Sequence, residues 1–191
     1  MRIIPAPCTS NMETGIRSPI RDASGFQYPA TGIMVLILAY GNSLRRDDGS
    51  GYVLADLVER MITEAGLEVE RIDSHQLEPE LALDISREKI TSVLFIDTRA
   101  LPETPNEDDL RVQFRRVVSA KIASPGIGHH LNPQVLLAYS RYLFNKEPPA
   151  WLITVPGTDF DHGEGLSETA RKAIDSAPAI LSELIPLLPV S

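Results

Sequence analysis

Cysteine occurs once in the chain, at Cys8, which excludes an intramolecular disulfide and any multi-cysteine metal site. A reducing cytoplasm is the compartment that suits this usage. Long apolar runs are missing as well. The longest, 33–39, is strand-sized and far short of the ~20 residues a membrane helix needs, so no membrane partner is expected. The opening residues, MRIIPAPCTSN, lack the apolar core of a secretory signal. Bases are outnumbered, 18 against 26 acids, for a net charge of −8. A chain this acidic and without a basic stripe is poorly suited to a phosphate backbone, which argues against nucleic acid as a partner. The one local basic cluster, Arg111, Arg115 and Arg116, is what a solvated strand edge presents. Absent too are the GxGxxG and GK[ST] signatures of nucleotide loops and the GxSxG elbow of serine hydrolases.

What remains is an ordinary globular composition, 43% hydrophobic and 23% charged, on 191 residues, enough for one well-buried domain and hardly for two. Residues 1–31 are rich in Pro, Ser, Thr and Gly without periodicity, and a disordered extension is expected there, with an α/β domain over 32–191. Order begins at 33–39 (IMVLILA), a continuous β-branched and aliphatic run typical of a parallel strand covered on both faces. The turn GNSLRRDDGSG follows, then a helix carrying Val53, Leu54, Leu57, Val58, Met61 and Ile62 at helical spacing, with Gly66 as its stop.

The alternation continues. A strand is expected at 67–72, a helix at 79–86 with Pro79 in its first turn, and a buried strand at 92–96. An alternating edge strand at 112–118 follows the acidic loop 102–110. A helix spans 132–144, another buried strand 151–155, and the chain closes with a helix over 166–188, capped by Ser167 and kinked or divided at Pro178. Strands alternating with helices imply a single-domain α/β fold: a twisted, mostly parallel sheet of about five strands with helices on both faces.

Such sheets gather ligands outside the carboxyl ends of their strands. That rule singles out 41–51, Asp73 to His75, Asp97 to Arg99, and the residues after Val155. In the first of these, Asp47 and Asp48 precede a helix. A cap accounts for one of them, while two adjacent acids suit metal binding or catalysis. Asp97 ends the apolar strand at the carboxyl edge, where it either caps a turn or joins the same site. His129 and His130 stand before the helix at 132, and imidazole with carboxylates suits nickel, zinc or iron. His75 is placed to reach the same crevice, and His162 lies at its rim. Cys8 has no local partner for thiol chemistry.

The string LAYGNSLRRDDGSG resembles the opening motif of the hydrogenase maturation proteases, in which the second acid of the pair contacts metal; that acid falls on Asp48. FIDTRA is similar to the family's strand-ending IxxDA, hence Asp97. HHLNPQVLLAY fits H-x-L-x-x-x-x-L-L, with His129 as the equivalent and His130 and His75 in reserve. The resemblance covers about residues 34–188. DSHQLEPELA and TVPGTDFDHGEGLS look like the branch serving soluble bidirectional hydrogenases.

The resemblance implies an endopeptidase that removes the C-terminal extension of a nickel-loaded hydrogenase large-subunit precursor. Asp48, Asp97 and His129 would meet nickel supplied by that substrate rather than a resident cofactor. One departure stands out: Thr98 and Arg99 replace the usual small residue, and Arg99 is expected to pair with Asp97 or with an acidic substrate tail. Cutting one tail requires one copy, so a monomer is expected. Two other functions remain open on the residues alone, a non-cleaving binding module for the same subunit and a small-molecule metallohydrolase holding its own metal.

Overall fold

Three apolar runs form the centre of one sheet because each can bury both faces only when helices cover it from either side, and two more polar strands complete its edges. The computed structural model describes residues 34–121 and 131–188. The expected extension 1–31 and the histidines 129 and 130 lie outside the described residues. In chain order the elements are β1 (Met34–Tyr40), α1 (Ser50–Glu64), β2 (Glu68–Ser74), α2 (Leu81–Ser86) and β3 (Ile90–Ala100). They continue with β4 (Gln113–Val117), α3 (Pro133–Phe144), β5 (Ala150–Gly157) and α4 (Glu168–Leu184). The sheet order is β2-β1-β3-β5-β4, with every pairing parallel except β4 on β5.

Strand periodicity divides the core in two. Val35, Ile37 and Ala39 face α1 and α4, together with Leu94, Ile96, Trp151 and Ile153. Leu36 and Leu38 face α2 and α3, together with Val93 and Phe95. Full burial of side chains such as Leu36, Ile37 and Phe95 contributes about 1.5–3 kcal/mol each, the main force joining helices to sheet. The expected α/β architecture is therefore the one observed.

The local signals explain most boundaries. Gly66 takes φ +81° after α1, and Leu67 N–H reaches back to Ile62 O at 3.2 Å, closing the helix as a Schellman turn. Asn132 caps α3 by accepting from Val135 N–H at 3.0 Å, and Ser167 caps α4 by accepting from Ala170 N–H at 3.2 Å. Two expectations change. The helix expected from Pro79 begins at Leu81, because Pro79 contributes a turn, its carbonyl accepting from Ala82 N–H at 3.1 Å. Pro178 does not divide the closing helix: α4 runs through it, anchored on both sides by buried Ala173, Ala177 and Leu181. Packing there outweighs the ~3 kcal/mol a helix-interior proline costs.

The chain leaves β1 for β2 on one side and later returns to β3 on the other. The crevice at this reversal, above the carboxyl ends of β1 and β3, is where open α/β sheets bind ligands.

Candidate active site

Adjacent aspartates in the turn after β1 are sent in opposite directions. Asp47 is fully buried, 0% exposed. Its Oδ2 accepts from the N–H groups of Thr158 at 2.8 Å and Asp159 at 3.0 Å, and its Oδ1 from Ser167 N–H at 2.7 Å. Burial alone would raise its carboxyl, but the bonds from Ser167, Thr158 and Asp159 outweigh it and hold the group below the ordinary carboxylate range. Asp47 is therefore a clasp between the first turn and the loop leading to α4. Neither aspartate caps α1: its N-cap is Gly49, with no side-chain cap bond, which overturns that expectation. The clasp is reinforced by Arg46 N–H to Gly163 O at 3.1 Å and by the Arg46–Asp159 ion pair at 2.6 Å.

Asp48 is only half-buried and turns back over the end of β1, its Oδ2 accepting from Asn42 N–H at 3.1 Å. The turn is so tight that only glycine fits at 41. Gly41 has φ +147°, and a Cβ there would lie 2.1 Å from the Asp48 carbonyl oxygen. Tyr52 secures the same turn from α1, its hydroxyl 2.6 Å from Gly41 O and 2.7 Å from Ser74 O, one proton shared between two acceptors. Burial raises the Tyr52 phenol, and the charges of Asp73 and Asp48 raise it further.

Asp97 follows the last paired residue of β3 opposite β1, since Ala39 pairs with Ile96. That register sets Tyr40 beside Asp97 on the α2/α3 face. The Tyr40 hydroxyl donates to the Asp97 carboxylate, and Thr98 N–H donates to Asp97 Oδ1 at 2.7 Å. Burial pushes the Asp97 carboxyl up to about 6, against the two hydrogen bonds, with the negative charge of Asp48 adding to the rise. Burial also raises the Tyr40 phenol, assisted by Asp97 and opposed by Arg115. The charge of Asp48 thus reaches Asp97 across the switch point, and Tyr40 orients Asp97.

Thr98 and Arg99, where the motif departs, have structural partners. Thr98 Oγ1 lies 2.7 Å from Ser50 Oγ and donates to Asp47 O at 2.8 Å, tying β3 to the clasp. Arg99 does not pair with Asp97 as expected. Its Nη2 donates to Asp109 O at 2.6 Å and Arg111 O at 2.9 Å, holding the acidic loop. His75 is exposed and lines a different cleft of about 430 Å³ with Ser43, Tyr52 and Asp73, so it does not join Asp97. His162 is exposed in the loop after β5. Among the described residues, no three His, Cys, Asp or Glu side chains group as a metal cage. Leu131, the first described residue after the histidine pair, packs against the cluster containing Leu38 and Phe95, on the face that Asp97 and Tyr40 share.

Solved structures share this arrangement of elements. The hydrogenase maturating endopeptidase HybD from E. coli matches at TM-score 0.57 and 18% identity, over 81% of this chain and 93% of its own. The [NiFe] hydrogenase maturation protease HycI from Thermococcus kodakarensis KOD1 matches at 0.53 and 15%, over 81% and 92%. A hydrogenase 2 maturation peptidase from a Thaumarchaeota archaeon matches at 0.52 and 19%, over 83% and 99%. The chain has the fold of the hydrogenase maturation endopeptidases. No family model and no curated protein matches its sequence.

Tyr40, the clasp role of Asp47 and the Ser50–Thr98 pair were not singled out from the sequence. Tyr40 was discoverable: aligning the carboxyl ends of two parallel strands, 33–39 and 92–96, sets the next residues, Tyr40 and Asp97, side by side.

Proposed function

We propose that this protein is an endopeptidase of hydrogenase maturation, removing the C-terminal extension of a nickel-loaded large-subunit precursor. Asp48, Asp97 and His129 meet the nickel of that substrate, with His130 as the alternative imidazole. The observation that carries the proposal is the approach of Asp48 to Asp97 at the switch point of a fold shared with solved hydrogenase maturation endopeptidases. Two carboxylates whose charges oppose each other in a partly buried crevice favour a cation, because a divalent ion between them turns repulsion into attraction. With an imidazole added, the donor set suits nickel.

Bound there, the substrate's ion supplies Lewis acidity toward the scissile carbonyl and a nearby water. The chain's own residues do the rest. Asn42 N–H fixes Asp48, while Tyr40 and Thr98 N–H fix Asp97. In the free protein burial raises the Asp97 carboxyl to about 6, so above that pH it is ionised and ready to meet the ion. One copy of the chain suffices for one tail, in the cytoplasm.

Nickel-loaded precursor incubated with the protein should lose its C-terminal extension by mass spectrometry, whereas nickel-free precursor should stay intact. Failure to shorten the cognate loaded precursor sinks the proposal. Asp48→Ala should abolish processing with an unchanged circular dichroism spectrum, and undiminished processing would remove Asp48 from the mechanism.

A further inference from the structure

A cleft of about 330 Å³ opens beside Asp97, lined by Arg99, Gln113, Arg115, Leu152 and Thr154. Its floor is the α2/α3 face of β3 and β5, and its outer wall is β4. Sheet register sets the spacing of its polar groups. Thr154 pairs with Asp97 on one side and with Gln113 on the other, and Arg115 pairs with Leu152 one strand row below.

We propose that this cleft holds an acidic side chain of the precursor's C-terminal extension, with Arg115 as its cationic partner. The inference rests on the endopeptidase reading and names what the substrate presents beyond the scissile bond. Two strand spacings separate β3 from β4, about 10 Å, which an extended peptide covers in about three residues. An acid on the order of three residues from the bond over Asp97 therefore reaches β4.

Charge complementarity decides the occupant. Arg46, Arg71, Arg87 and Arg141 are each paired with acids of the chain. Arg115, exposed on the edge strand, has no ion-pair partner among the described residues and lines the same cleft as Asp97. Arg99 forms the inner wall with its Nη2 anchored on two carbonyls, and its buried Nε–H has no acceptor among the described residues. Arginine on a preset strand suits planar carboxylates. The protein's net charge of −8 repels acidic peptides in general, so a preference for one over its neutral counterpart requires a local cationic site.

The test uses two fluorescein-labelled, C-terminally amidated octapeptides of alanine and glycine, one with two glutamates and the other with glutamines in their place. Anisotropy titrations on the full chain at low salt should show the acidic peptide binding at least tenfold more tightly. Arg115→Glu should erase that preference without changing the thermal midpoint or the circular dichroism spectrum. Equal affinity for the two peptides overturns the assignment. So does no binding of the acidic peptide at millimolar protein, or a preference that survives in Arg115→Glu. Because binding is read without cleavage, the two proposals fail separately. Loaded precursor processed at the wild-type rate by Arg115→Glu overturns the cleft assignment alone. An Arg115-dependent acidic preference in a protein that never shortens loaded precursor supports the cleft and overturns the endopeptidase.

Discussion

Replacing Asp47 with alanine removes a buried acceptor that three part-buried main-chain N–H groups share, those of Thr158, Asp159 and Ser167. Hydrogen bonds to a charged acceptor contribute about 1.5–3 kcal/mol each, and an orphaned buried donor costs about 1–3 kcal/mol. The loop can open to water and recover part of this, so the net loss should be about 3–5 kcal/mol, at least about a fifth of a typical domain's stability. Trp151 is the only tryptophan and is 3% exposed on β5, so its fluorescence reports global unfolding in urea. The midpoint should fall sharply with little change in slope. The effect should depend on pH with a definite sign. Because the folded pKa of Asp47 is depressed, its stabilisation is present above the ordinary carboxylate range and is lost as pH falls through the folded value. Wild type and variant should therefore converge in acid. Asp48→Ala, one residue away, should leave the midpoint nearly unmoved. Equal midpoints for wild type and Asp47→Ala at neutral pH, or a larger loss from Asp48→Ala, would refute the division of labour between the two acids.

Asp97 should behave in the opposite sense. Its raised carboxyl stabilises the fold in acid and loses that contribution as pH rises through about 6, so Asp97→Asn should be the more stable form at pH 8, by urea midpoint. Processing by wild type should fall below pH about 6, and Tyr40→Phe, which deletes a bond to the charged form, should move that limb to higher pH. A limb left in place would show that Asp97 does not titrate in the reaction. Gly41→Ala drives a Cβ to 2.1 Å from Asp48 O and should lower the thermal midpoint and abolish processing together. Comparing His129→Ala with His130→Ala in the processing assay should show loss in the first, and loss in the second alone would reassign the imidazole. Deleting residues 1–31 should leave the thermal midpoint nearly unchanged; a large fall would show that the segment contributes to the domain's stability.

The sequence set Asp97 at the sheet's carboxyl edge because it directly follows an apolar run, and Asp48 near that edge because it stands in the turn that follows another. Ser167 was legible as a cap because its partner, Ala170 N–H, lies three residues away. Asp47 was not legible: its partners lie 111–120 residues on, and nothing local marks which of two adjacent acids turns inward. The expected pairing of Arg99 with Asp97 was not found either, because the carbonyls of Asp109 and Arg111, 10 and 12 residues on, satisfy its Nη2 instead. Pro178 misled because local helix chemistry was weighed without the packing on either side of it.

The Asp47 clasp has a consequence in time as well as in space. Asp48 is carried on a turn whose neighbour is fastened by main-chain groups from 158–167, more than a hundred residues later. A ribosome that has delivered only β1 through β4 has already made both acids of the site, yet the turn lacks the donors that hold it. The turn would therefore be held in place only late in synthesis, when the last loop closes, and any local opening that frees α4 from the sheet would release it again.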